Sequence, residues 1–151
     1  MDSSTLILRI NEEYNSMLDE MTDKIRQIAN VTKAKMYFLA GAYGYYLNER
    51  EKLQSNNKDV LRVEYIEKPD YKIQETILNS IYHSQKDKLD EEINKYKLFE
   101  EYANAGVKRL YKIFKESENI EDFIETIEIK IDEIIKKLGF SIKEEAENEQ
   151  V

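Results

Sequence analysis

Residues Val31 to Leu53 read VTKAKMYFLAGAYGYYLNEREKL, and this stretch decides the fold. It is the least charged part of a highly charged chain. It carries Gly41 and Gly44, two of the four glycines, together with four of the eleven tyrosines. Thr32 stands where a helix N-cap belongs. Met36, Leu39, Ala40, Tyr43 and Leu47 then recur at helical spacing on one face. Phe38, Ala42 and Tyr45 widen the apolar surface beyond one stripe, so the spacing predicts a helix from about Lys33 to Arg50 that is buried on most sides.

Composition fits a helical domain built around that core. The chain has 151 residues, 41% of them hydrophobic and 36% charged, with four glycines and one proline. Few breakers and many Lys, Glu, Ile and Leu favour helices. The formal net charge of −8 argues against a general nucleic-acid binder, which needs a positive footprint. It leaves room for a local basic patch. The absence of cysteine rules out disulfides, thiolate zinc sites and a cysteine nucleophile. No signal-peptide pattern opens the sequence, and no apolar run approaches the roughly 20 residues that span a bilayer. A cytoplasmic protein with no membrane contact is expected.

Working outward, Tyr14, Met17, Leu18, Met21, Ile25 and Ile28 predict a first helix from about Glu12 to Ile28. Val60 to Ile66 alternates like a strand, and its only partner in the sequence is Leu6 to Ile10. Either these two segments pair, or the second is an extended connector packed on helices. Pro69 marks a break. After it Ile73, Ile77, Leu78 and Ile81 predict a helix from about Asp70 to His83. The spacing from Leu89 to Phe114 predicts one long helix, Lys86 to Lys115, with a kink allowed at Asn104 to Gly106 because glycine weakens a helix. Ile120 to Leu138 predicts the last helix, capped at its start by Ser117 or Asn119. It would end at Gly139, with Phe140 packing back and Lys136 and Lys137 facing the negative helix end. The expected fold is all-α: about five helices round a buried central helix, with room for a minor two-stranded pairing. Residues 1–142 form a single helical domain in this reading, and residues 143–151 an acidic tail without order of its own.

Reactive chemistry is scarce. His83 is the only histidine, and neither a cysteine nor a Ser–Asp relay stands beside it, which points to a surface role. Paired acids such as Glu12-Glu13, Asp90-Glu91-Glu92 and Glu100-Glu101 arise readily in so acidic a chain. They alternate with lysines like solvated helix faces. The glycines of AGAYG make no phosphate-binding loop and suit close helix packing instead. No cofactor, metal or catalytic residue is assigned. A carboxylate-dependent nuclease ranks last and would need three or more acids around one cleft. Two features remain as binding candidates. Tyr45, Tyr46, Arg50, Tyr102 and Tyr111 form a prospective protein-binding face, since tyrosine is enriched at interfaces. Lys108, Arg109, Lys112 and Lys115, beside Tyr111, form a prospective nucleic-acid face, with a smaller basic cluster at Lys33 and Lys35.

Two motifs carry a family resemblance. Arg9 and Tyr14 are followed by Lys35, Leu39-Ala40, Ala42, Gly44-Tyr45, Arg50 and Leu53, and later by Glu101-Tyr102-Ala103-Asn104-Ala105-Gly106 with Leu110. This pattern resembles the small accessory proteins encoded beside bacterial DNA phosphorothioation genes and related anti-phage defence components, over about residues 9 to 138. The chain departs from the pattern at Gly41, where alanine is expected, and at Asn48-Glu49, where a glycine-containing basic turn is expected. The resemblance brings no catalytic residues. It implies a non-catalytic accessory subunit of an antiviral defence system that acts through a larger ATPase or nuclease, with DNA reached through the complex and self-association open. The alternative is a small DNA-binding or DNA-sensing module.

Overall fold

A computed structural model describes residues 6–89 and 92–139. The order of elements is β1 (Ile7–Asn11), α1 (Glu12–Arg26), α2 (Lys33–Leu47), β2 (Asn57–Arg62), α3 (Lys72–Gln85), α4 (Lys95–Glu116) and α5 (Ile120–Leu138). The expected five helices and the minor two-stranded pairing are both present.

Helix α2 is the centre. Thr32 caps it, its hydroxyl accepting from Lys35 N at 3.2 Å. Buried residues occur all round its circumference, from Ala34 and Met36 to Tyr45. Its main neighbour is α4, and small residues set how close the two come. A Cβ on Gly44 would overlap the carbonyl of Tyr102, and one on Gly106 would overlap the carbonyl of Ala40. A Cβ on Gly41 would strike the Phe99 ring, which packs instead on Phe38 at 5.0 Å between centroids. The expected close packing at AGAYG is therefore backbone against backbone at Ala40 and Gly44 and backbone against ring at Gly41, and α4 runs unbroken through Gly106. Glycine's weak helix propensity is overridden because only glycine fits there.

Strand β1 is antiparallel to β2, with Leu8 opposite Leu61 and Arg9 opposite Asp59. The register shift between these pairs is a bulge. Leu8 and Ile10 point into the core, as the period of two requires. The second strand begins earlier than its alternation suggested. Asn57 and Asp59, which precede the alternating stretch, pair with β1, while Val63–Tyr65 turns into a short 3-10 helix.

Helix boundaries also differ, and α2 ends at Leu47, not Arg50. The long helix starts at Lys95, not Lys86, because Asn94 Oδ1 accepts from Tyr96 N and Lys97 N and sets a new N-terminus. Lys86 instead ends α3. The first helix stops at Arg26, leaving Ile28 51% exposed. Asn119 caps α5 through Asp122 N, whereas Ser117 turns back to the Ile113 carbonyl. Phe140 and the acidic stretch 143–151 lie outside the described residues.

Candidate partner-binding surface

The surface is built where α2 ends. Asn48 adopts a left-handed conformation, φ 58°, which asparagine tolerates better than most residues. Its N–H closes the last turn of α2 onto the carbonyls of Gly44 and Tyr45. The following segment lies against α4 and is fixed there by two buried asparagines. Asn104 Oδ1 accepts from Asn11 N at 2.9 Å, and its Nδ2 donates to the Glu51 carbonyl at 3.1 Å. Asn11 Nδ2 donates to the Lys52 carbonyl, and its Oδ1 accepts from Gln54 N at 2.6 Å. Glu51 N donates to the Glu101 carbonyl. Asn104 is fully buried and Asn11 nearly so. A buried amide left unpaired costs free energy, so this network holds one conformation of the segment.

Glu100, one turn before Asn104, performs the same service for the strand. Its Oε2 accepts from Arg9 N at 2.7 Å, and Tyr37 donates its hydroxyl to the Arg9 carbonyl at 2.9 Å. Burial pushes the Glu100 carboxyl above its usual range, against the pull of the Arg9 N–H and of Lys97. Burial also raises the Tyr37 hydroxyl well above its ordinary value, and the charge of Glu100 adds to this.

On this support sits a small hollow of about 350 Å³, lined by Asn48, Glu49, Arg50, Glu51, Ala105 and Lys108. Arg109 Nε donates to Glu49 at 2.8 Å, and that contact raises the guanidinium pKa further. Arg50 lies 3.6 Å from Glu101. Beside the hollow, Tyr43 and Tyr46 stack at 6.2 Å, and a hydrogen bond with Glu133 raises the Tyr46 hydroxyl. Lys137 reaches across from α5. Its Nζ donates to the carbonyls of Tyr45 and Tyr46, 2.9 Å each, and stands 4.7 Å over the Tyr45 ring. Lys137 thus serves the C-terminus of α2, not that of its own helix.

The expected tyrosine face is divided by the structure. Tyr45 and Tyr102 are buried, edge to face with centroids 5.8 Å apart, so their rings belong to the core. Tyr46 is half-buried and Arg50 exposed, and these two remain at the surface. Tyr111 lies about 13 Å further along α4, its hydroxyl donating to Glu20. The basic row is similarly split. Lys108 and Lys112 are exposed, but Arg109 is paired with Glu49 and Lys115 with Glu20 at 2.9 Å. Lys115 in turn lowers the Glu20 carboxyl. His83 is exposed beside Tyr82. Among the described residues no group of three or more His, Cys, Asp or Glu is placed to hold a metal ion, and no helix is long and apolar enough to cross a membrane.

Sequence reasoning misplaced Glu100, read as part of a solvated face but buried, and Lys137, read as serving its own helix end, and it gave no role to the side chains of Asn11 and Asn104. A signal for two of them was present. Glu100 and Asn104 stand one helical turn apart, on the helix face that also carries Ala103 and Val107, where a polar side chain needs a partner.

Residues 8–141 match the family described as DNA sulphur modification system-associated protein 4. No curated protein and no solved structure matches the chain.

Proposed function

The chain belongs to the DNA sulphur modification system-associated protein 4 family, and from that membership we propose that it is a non-catalytic accessory subunit of a bacterial anti-phage system. In this reading it works in the cytoplasm by binding a larger ATPase or nuclease component. The observation that carries the proposal is the extent of the match, residues 8–141, joined to a surface that the fold holds rigid. The segment from Asn48 to Gln54 is pinned by buried asparagines and displays Arg50 beside Lys108. Preorganised surface of this kind loses little conformational entropy on binding.

The test is co-purification with the products of neighbouring genes. The parent chain should retain such a partner. Arg50→Ala with Lys108→Glu should lose it with little change in melting, since Lys108 is exposed and Arg50 gives up a single 3.6 Å contact with Glu101. A monodisperse chain that retains none of those products would overturn the reading. DNA contact through Lys108, Arg109, Lys112 and Lys115 is the alternative. It has two exposed cations in its favour and two ion-paired ones against it. Salt-dependent binding of duplex DNA by the purified chain would favour it.

A further inference from the structure

Helix α5 turns one apolar stripe to the core, where Phe123, Ile127 and Ile134 are buried. Ile129 stands outside that stripe. It shares a face with Asp122 and Glu125 at helical spacing, and at 58% it is the most exposed large hydrophobic side chain among the described residues. Helix propensity does not account for it, since a β-branched residue is a poorer helix former than the Glu and Lys around it. Nor does it stand alone. With the half-buried Ile113 of α4 it lines a cleft of about 530 Å³ between the two helices. Apolar side chains that meet in an open concave surface with a polar rim mark an interaction site.

The charges round the cleft give the chemistry of what fits it. Glu116 ends α4, Glu118 lies in the turn after it, and Asp122 and Glu125 stand on α5; no lysine or arginine is among the lining residues. Elsewhere surface carboxylates are paired, as Glu49 is with Arg109 and Glu20 with Lys115. These four have no cation partner among the described residues. Carboxylates gathered round one cleft repel each other, and a cation brought between them relieves that repulsion. The sign excludes a nucleic-acid backbone. It equally disfavours the same face of a second copy. The chain's own C-terminal sequence, with Glu144, Glu145, Glu147 and Glu149, has the wrong sign as well.

We propose that the cleft between α4 and α5 is a docking surface for a basic amphipathic helix of another protein, one in which lysine or arginine flanks an apolar side chain. The apolar side chain rests on Ile113 and Ile129, and the cations reach the acids on either side. Helices that lay an apolar row into a groove and carry charge at its edges bind in this mode. This inference stands on the cleft and its charges and does not depend on the accessory-subunit reading.

The probe is a synthetic amphipathic helix of leucine and lysine, titrated into the isotopically enriched full chain at about 150 mM salt, where long-range attraction is screened. The methyl resonances of Ile113 and Ile129 and the amides of Glu118 and Glu125 should shift, while the methyls of Ile73 and Ile77 on α3 stay in place. No shift, or shifts centred on α3, would overturn the proposal. So would equal binding of the counterpart peptide with glutamate for lysine. Glu118→Gln with Glu125→Gln should weaken binding about tenfold. Glu13→Gln with Asp23→Asn removes the same charge from the exposed side of α1 and should weaken it far less; equal weakening would mean that only net charge draws the peptide. Ile129→Ala should weaken binding without changing the melting temperature, and binding like the parent's would remove the apolar contact and with it the proposal. If the chain without peptide sediments as a dimer that Ile129→Ala dissociates, the occupant is a second copy and not a basic partner.

Discussion

Gly106 of α4 rests directly against the main-chain carbonyl of Ala40 in α2, with no space for a Cβ between them. Alanine is the better helix former by about 1 kcal/mol, so propensity alone predicts that Gly106→Ala stabilises. The contact decides the sign the other way. The obstructing atoms are backbone and cannot rotate aside, and overpacking of this kind costs about 2 kcal/mol or more. Urea denaturation should show Gly106→Ala markedly destabilised. Gly139→Ala offers a contrast: nothing lies within 4 Å of its Cβ position, so only its left-handed φ of 70° is strained, and the loss should be about 1 kcal/mol.

Asn104 holds a strand end and a loop at once, through Asn11 N and the Glu51 carbonyl. Truncation to alanine leaves both groups unpaired in a buried place. At roughly 1–3 kcal/mol for each unsatisfied group, Asn104→Ala should cost about 2–6 kcal/mol. Hydrogen exchange locates the effect. The Asn11 amide should lose its protection beyond what the global loss of stability explains, and unchanged relative protection would show that Asn104 is not its restraint.

The core was legible in the sequence because its cause is local. The all-round apolar character of α2, the Thr32 cap and the Asn119 cap all follow from neighbouring residues. So does the role of AGAYG as a close-packing surface. The long-range polar restraints were not legible. That Glu100 and Asn104 face strand β1 depends on which side of α4 meets the sheet, and nothing within the helix states it. The start of α4 was misplaced for a related reason: the apolar spacing continues upstream through Leu89 and Ile93, but Asn94 captures two amides and begins the helix after them. Tyrosines read as an interface by composition proved to be of two kinds. Tyr45 and Tyr102 are core, whereas Tyr46 and Tyr111 stand at its edge. The tyrosine and asparagine of the EYANAG motif are core as well, so the motif specifies how α2, α4 and β1 fit together.

Glu100 gives a pH dependence whose sign is opposite to that of a salt-bridged surface acid. Its folded carboxyl lies above the reference value of 4.5, chiefly through burial. Between that reference and the raised folded value the folded chain binds more protons than the unfolded chain. The contribution of Glu100 to stability is therefore full below about pH 4.5 and falls as pH rises through the window. Glu100→Gln keeps an oxygen to accept from Arg9 N and removes the charge. Relative to the parent it should gain stability as pH is raised from 4 to 8, read from urea midpoints at each pH. A variant that loses ground with rising pH would mean that the charge of Glu100 is favourable where it sits. Glu100→Ala supplies no acceptor and should be the less stable of the two at every pH.

Lys137 joins the end of α5 to the end of α2. The carbonyls of Tyr45 and Tyr46 belong to the last turn of α2, where regular helical pairing ends; Tyr45 accepts from Asn48 N, and the negative end of the helix dipole favours a cation there. The lysine meets both carbonyls and also covers the Tyr45 ring. Lys137→Met keeps the aliphatic stem and removes the charge and the donors. Hydrogen bonds from charged groups are worth more than neutral ones, but this ammonium is partly open to water, so the expected loss is only about 1 kcal/mol. Its location should be more telling than its size. Exchange should quicken for amides in the last turn of α5, and for the Asn48 and Glu49 amides that close α2 onto Gly44 and Tyr45. Amides in the middle of α4 should change only with global stability. If the α5 end is unaffected while stability falls uniformly, Lys137 is a surface contact and some other group holds α5 to α2.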